Sequence, residues 1–406
     1  MSATIRRIGV QERRHRLGLR HRLVTGMQTD DSVDGVVEAA ASVVTLHATD
    51  PASVFLSVMA RSQAGVDTVE WALYDDRALV RMLGMRRTMW VVPRDLAPVV
   101  QAGATLAIAA VQRRRLVQHL TQAGVAADVE TWLADVESST LRALVARGEA
   151  TAVELAGDEP RLRTRIVAPP ETVGANATSR VLFLLSADGH IVRGRPLGSW
   201  TSSQYRWAPT TVWLSGGLDD LDPAAARVEL ARRWLAAFGP APIADLKWWT
   251  GWTLGQTRAA LTALDAAAVD LDRSPGVALP DDLDPVADPG PWVALLPALD
   301  PTPMGWQERG WFLGEHRAAL FDRTGNIGPT IWCDGRIVGG WAHRADGTIA
   351  LRLLTDIGAE AAAAVHAAAE RLAERIGPQT CLPDGSIGKV RITPRFRTPL
   401  ERELSG

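Results

Sequence analysis

The chain is poor in cysteine, in tyrosine and, above all, in lysine. Its 406 residues include two cysteines, Cys333 and Cys381, which excludes a disulfide framework and any cysteine-based zinc cluster. No run of 18 uncharged apolar residues occurs, so no membrane-spanning helix and no membrane partner are expected. The opening MSATIRRIGVQERRHRLGLR lacks the apolar stretch of a secretory signal, and the cytoplasm is the expected compartment. Eight histidines are scattered without metal-ligand spacing. There is no Gly-rich phosphate loop, no His-Glu-x-x-His, no nucleophile elbow and no dinucleotide-binding glycine fingerprint. No metal and no cofactor are therefore expected. With 47% apolar and 22% charged residues the chain is not disordered, and its length suits several domains.

What is present is arginine and tryptophan. Lysine occurs only at 247 and 389, so 42 of the 44 cations are arginines, although the net charge is −2. Overall charge gives no sign of a nucleic-acid partner, but guanidinium is planar, multi-donor and suited to phosphate. Seven arginines fall in the first 22 residues (Arg6, Arg7, Arg13, Arg14, Arg16, Arg20, Arg22), with Glu12 the only acid. This excess predicts a basic arm tracking phosphates. Of fifteen tryptophans, Trp248, Trp249 and Trp252 crowd one short segment.

Hydrophobic spacing predicts a helix over 32–46, a second from the Asp50-Pro51 start to Arg61, and a third after Gly65. Strand-like runs follow at Val80–Leu83 and Thr88–Val92. Three helices followed by a two-stranded ribbon is the winged-helix order. It recurs over 138–207 and again from Asp222-Pro223 to Leu279, as a repeat of architecture without sequence identity. Beyond the Pro/Asp/Gly-rich 272–291, runs at Trp292–Leu296, Ala318–Asp322, Thr330–Cys333, Ile337–His343 and Ile349–Leu354 read as strands, with an alanine-rich helix at 357–376. Glu401–Gly406 reads as a frayed tail. The expected class is α+β: tandem winged-helix units over 1–125, 126–221 and 222–290, then an antiparallel β-barrel-like domain over 291–406.

Chemistry is most readily placed in Leu46-His47-Ala48-Thr49-Asp50-Pro51. In extended backbone, residues two apart share a face, so His47 and Thr49 present an imidazole and a hydroxyl to one spot. Such a pair holds water rather than a metal. A purely structural reading makes His47 a helix-end residue bound to a carbonyl and Asp50 a helix N-cap.

The runs SVVTLHATDPASVFLSVMARSQAG and RALVRMLGMRRTMWVVPRDL resemble the winged-helix DNA glycosylases of the AlkZ/YcaQ type, as do PAPIADLKWWTGWTLGQTRAALTAL, VALLPALDPTPMGW and GPTIWCDGRIVGGW. These matches occur in order across roughly residues 14–376. The resemblance implies tandem winged helices before a C-terminal β-domain. It also implies a bacterial, nucleoid-associated enzyme that needs no cofactor, acts as a monomer and hydrolyses the N-glycosidic bond of alkylated purines in double-stranded DNA, bulky N7-guanine adducts included. The family signature is Gln-x-Gln or Gln-x-Asp before the Asp-Pro turn; here those positions are His47 and Thr49. The usual Arg-Gly-Thr-Leu-His run appears as Arg86-Arg87-Thr88-Met89-Trp90.

The resemblance makes His47 and Thr49 the expected catalytic pair, with His47 taking a proton from the attacking water near its ordinary pKa of about 6.5. Arg86, Arg87, Thr88, Arg13 and Arg14 are the expected DNA contacts, and Asp50 and Asp300 possible pocket carboxylates. With Lys247 and Lys389 both placed away from the site, no Schiff-base lyase step is expected. The competing function is a non-catalytic winged-helix DNA-binding regulator or damage sensor, favoured by the departures at 47 and 49.

Overall fold

The computed structural model describes residues 5–167, 175–381, 386–392 and 394–406, so residues 1–4 of the basic segment lie outside the described residues. The fold is α+β. Ser32 accepts a hydrogen bond from the Gly35 amide and starts helix Val33–Ala41. This helix is shorter than its spacing predicts: Val44 takes a φ of 65°, and the chain turns into the short strand Leu46–His47. Asp50 accepts from the Ala52 amide at 3.2 Å and caps helix Pro51–Met59, with Pro51 at the first helical position. PASVFLSVM is apolar on nearly every face, and the helix is buried along its whole length. Truncating Phe55 at its centre to alanine would cost about 3–5 kcal/mol.

Helix Val66–Tyr74 then leads into the hairpin Leu79–Gly84 and Thr88–Pro93. Leu46–His47 pairs antiparallel with the second hairpin strand, placing His47 opposite Trp90, itself opposite Met82. The short strand thus pins the segment before Asp50 to a hairpin strand more than 40 residues on in sequence.

The same succession of helix, short strand, two helices and hairpin occurs twice more. The second copy has helix Val129–Arg147, a bridge from Ala150 to Trp207, helices Ala152–Asp158 and Ala177–Ala187, and strands Ile191–Pro196 and Tyr205–Pro209. The third has helix Pro223–Phe238, a bridge from Ala241 to Val277, helices Ile243–Thr250 and Leu254–Ala263, and strands Ala267–Asp270 and Pro275–Ala278. Capping boxes, Thr151 with Glu154 and Thr253 with Gln256, start the middle helix of one copy and the last of the other. The first and third copies share one apolar core with the C-terminal part, whereas the second builds its own around Leu133, Leu144 and Val181.

One element that the sequence pattern hides links these copies. Residues 94–122 form one helical run, widened by a π turn at Gln101–Thr105. Pro98 and Gly103 disguise it in the sequence. At Gly103 a Cβ would stand 3.3 Å from the Ala226 backbone, and the Gly103 carbonyl accepts from Trp252 Nε1 at 2.9 Å. By length and composition the run is apolar enough to cross a membrane, contrary to expectation. However, 61% of its apolar window is buried inside the chain, as in a core helix.

The N-terminal segment is not a solvated arm. Arg6–Arg7 runs as a parallel strand beside Ala267–Asp270, and helix Val10–Arg20 follows. Arg16 is buried against Glu12 at 2.9 Å and Asp282 at 2.6 Å; Arg7 meets Asp272 at 2.9 Å, and Arg22 pairs with Glu38. Carboxylates remote in sequence therefore neutralise the charges that Glu12 alone could not.

In the C-terminal part, strands Val293–Leu296, Thr330–Cys333, Arg336–His343 and Ile349–Leu353 form a four-stranded antiparallel sheet in that order. Helix Gly358–Ile376 packs on it. Among the described residues the sheet is open and does not close into a barrel. Asp334 and Gly335 both take positive φ, 47° and 77°, as the tight hairpin between Cys333 and Arg336 demands. Ala318–Asp322, expected as a strand, is instead led by a helical turn at Arg317–Leu320. Glu401–Gly406 does not fray as expected: Pro399–Leu404 is a helix with Leu400, Glu401 and Leu404 buried.

Candidate active site

His47 is 7% exposed and lies edge-on to Trp90, with ring centroids 5.0 Å apart. The ring contacts continue to Trp249, tilted and 5.9 Å from Trp90, so the tryptophan-rich segment of the third copy backs the histidine. His47 Nδ1 is buried and has no hydrogen-bond partner among the described residues. Burial, reinforced by the Arg86 charge, lowers the imidazole pKa to about 3. His47 is therefore neutral across the working pH range, and the expected titration near 6.5 does not occur. A base this weak is poorly matched to taking a proton at neutral pH, but a neutral ring nitrogen can still hold a water.

Thr49, half-buried, and the buried Asp50 follow in the same loop. Arg395 ties this loop to the far end of the chain: its amide donates to Asp50 Oδ2 at 3.4 Å and its guanidinium to the Thr49 carbonyl at 3.3 Å. Burial raises the Asp50 pKa, against the pull of those amide hydrogen bonds and of Arg395 and Arg81.

Arg86 and Arg87 form the hairpin tip, both with positive φ, 56° and 61°. Left-handed backbone at two consecutive arginines is unfavourable; here it splays the side chains apart. Arg86 turns inward and lies 4.1 Å over Trp248, whose ring Arg309 also faces at 5.1 Å. Arg87 is exposed and turns toward Phe183 of the second copy. Thr88 begins the returning strand opposite Gly84. Lys247, next to Trp248 in sequence, is exposed.

A groove of about 200 Å³ opens beside Arg87. Gln112, Arg115 and His119 of the long helix line it, with Ser179 and Arg180 of helix Ala177–Ala187. Among the described residues no carboxylate lines it. Arg115 and Arg180 escaped the sequence reading because each stands in an ordinary helix; only the arginine run 113–115 hinted at them.

The remaining expected residues lie elsewhere. Asp300 is not a pocket carboxylate. It is fully buried in a bidentate pair with Arg61, at 2.7 and 2.8 Å, and caps the turn at Thr302. Arg61 Nη2 also reaches Thr302 Oγ1 at 2.7 Å, and Thr302 meets the buried His21 at 2.9 Å. This network joins the first copy, the N-terminal helix and the C-terminal part. Arg13 and Arg14 are taken up by Trp311: Arg13 lies 4.1 Å over its ring, and Arg14 Nε donates to its carbonyl at 3.1 Å. Among the described residues no group of three or more His, Cys, Asp or Glu is arranged to hold a metal ion.

The site thus combines repeated helical units, a His47–Asp50 loop ahead of an Asp-Pro helix start and an arginine-lined groove. Comparison with known proteins gives the family. The chain matches the family model described as DNA glycosylase AlkZ-like over residues 40–375, and it belongs to that family. No curated protein matches it in sequence. Among solved structures, it is similar to the Streptomyces sahachiroi DNA glycosylase AlkZ, with a TM-score of 0.68 and 17% identity. That match covers 91% of this chain and 96% of the other, a likeness of fold.

Proposed function

We propose that this protein is a monofunctional glycosylase that hydrolyses the N-glycosidic bond of alkylated purines in double-stranded DNA, bulky N7-guanine adducts among them. It would act as a monomer on the nucleoid, in general repair or in self-resistance to a genotoxin. Each helix–strand–helix–helix–hairpin copy is read as a winged-helix unit, and the expected boundaries at 125, 221 and 290 separate them from the C-terminal domain. The observation that carries the reading is a neutral, buried His47 whose Nδ1 has no hydrogen-bond partner among the described residues.

N7 alkylation makes the purine a cationic leaving group, so the bond breaks with little acid assistance. The enzyme has to hold a water at C1′ and stabilise an oxocarbenium-like sugar. His47 positions that water as a neutral acceptor, and Thr49 supplies the second hydrogen bond. The water adds to a sugar that is already largely oxocarbenium-like in the transition state, so a strong base is not needed. Duplex phosphates run past Arg87 and through the groove lined by Arg115, His119 and Arg180.

The test is single-turnover excision of an N7-alkylguanine from duplex DNA, read as abasic sites cleaved by alkali. His47→Ala should lose most of the rate with DNA affinity kept, because the water matters in the transition state. His47→Gln, which restores the family residue, should retain part of it. Borohydride trapping should give no covalent adduct; an adduct lost in Lys247→Ala would assign a lyase step to that lysine. Tight duplex binding with no excision of any adduct would favour the regulator reading instead.

A further inference from the structure

The C-terminal segment holds a buried carboxyl that the proposed mechanism does not use. Glu401 is 6% exposed, and its Oε2 has no hydrogen-bond partner among the described residues. It lines a small cavity of about 30 Å³ with Asp50, Ser53, His343 and Trp341. That volume suits one water. The segment is seated rather than loosely laid: a Cβ at Gly328 would fall 2.6 Å from Thr398 Oγ1, and one at Gly340 2.7 Å from Leu400 Cδ2. Arg344 further holds the helix by donating to the Leu404 carbonyl at 2.9 Å. The family match ends at residue 375, so this segment lies beyond it.

We propose that residues 394–404 complete the candidate site, with Arg395 and Glu401 as positioning residues that hold the His47–Asp50 loop through Thr49 and Asp50. The inference rests on the glycosylase reading for the loop's role, though not for the contact itself. Arg395 fixes the loop by its two hydrogen bonds. Glu401, while protonated, leaves Asp50 the only carboxylate charge lining the cavity among the described residues; once ionised, it sets a second charge beside the first. The groups facing Glu401 are Asp50, which opposes its ionisation, Arg397 and Arg402, which favour it, and the cavity's His343, kept neutral by burial. Burial is the largest influence and holds Glu401 near 7.

The sign follows. A carboxyl raised above its ordinary 4.5 is favoured by folding at low pH, and that contribution is lost as pH rises through about 7. The test compares the wild-type chain, Glu401→Gln and Arg395→Ala by excision rate, DNA affinity and the amide protection factors of Ala48 and Ala52. In the wild type, excision and Ala52 protection should fall about tenfold or more between about pH 6.5 and 8.5, as one titrating group near 7 requires. In Glu401→Gln the fall should shrink to about twofold or less in both. Arg395→Ala should lower the excision rate with DNA affinity unchanged. Superimposable pH profiles for wild type and Glu401→Gln would overturn the proposal, as would a melting-temperature change that leaves the profiles identical. If no chain excises any adduct while Ala52 protection follows Glu401, the glycosylase reading fails and the positioning contact stands.

Discussion

Acidification is the sharpest probe of His47. The shift of its pKa from 6.5 to about 3 places roughly 5 kcal/mol against charging the buried ring. An ordinary histidine acting as base would be more than nine-tenths protonated at about pH 5, and excision would drop more than tenfold from its value at about pH 6.5. We expect no such drop: single-turnover excision should be level between those values. Global stability should behave differently. A pKa depressed by folding means that the unfolded chain binds the proton more tightly, so His47 contributes stability above about pH 6.5 that is lost as pH falls toward 3. His21, buried and likewise lowered, acts in the same direction. Urea unfolding of the wild type and His47→Gln from about pH 7 to 4 should therefore give a shallower pH dependence in the variant, with the His21 part retained. An excision profile with a midpoint near 6.5 that vanishes in His47→Gln would refute the reasoning, because the ring would then be titrating freely in the folded protein.

Other perturbations separate binding from folding. Asp300→Asn strands the buried Arg61 and should cost about 3–5 kcal/mol of stability, with excision by the folded fraction retained; thermal unfolding and excision below the transition check it. Removing residues 1–22 should destabilise the fold, because Arg16 and strand Arg6–Arg7 pack inside it; a truncated chain with native melting and weakened duplex binding would restore the solvated-arm picture. Duplex affinity should fall steeply with salt, and Arg87→Ala, Arg115→Ala and Arg180→Ala should each reduce the slope of log affinity against log salt by about 1. Thr49→Val should cost less excision than His47→Ala, since it removes one hydrogen bond to the water.

Local chemistry made a good part of this protein legible in its residues. Asp50-Pro51 and Asp222-Pro223 cap helices as read, because a cap needs only its own neighbours. Thr330–Cys333 is a strand with the expected bounds, and Asp334-Gly335 turns as its φ preference dictates. The helix–helix–helix–ribbon order was likewise visible three times, because hydrophobic period and turn residues are local. Which charges are free was not. The N-terminal arginines looked like an arm until Asp272, Asp282 and Glu38 were brought against them, and Asp300 looked available until Arg61 closed on it. Ionisation was no more legible: the pKa of His47 depends on desolvation by Trp90 and on the charge of Arg86, contacts set by strand register. Glu401 lies 351 residues from Asp50, yet both line one cavity. Burial and long-range pairing are properties of the packed chain, and only the tertiary structure decides which of many similar arginines and carboxylates are left with work to do.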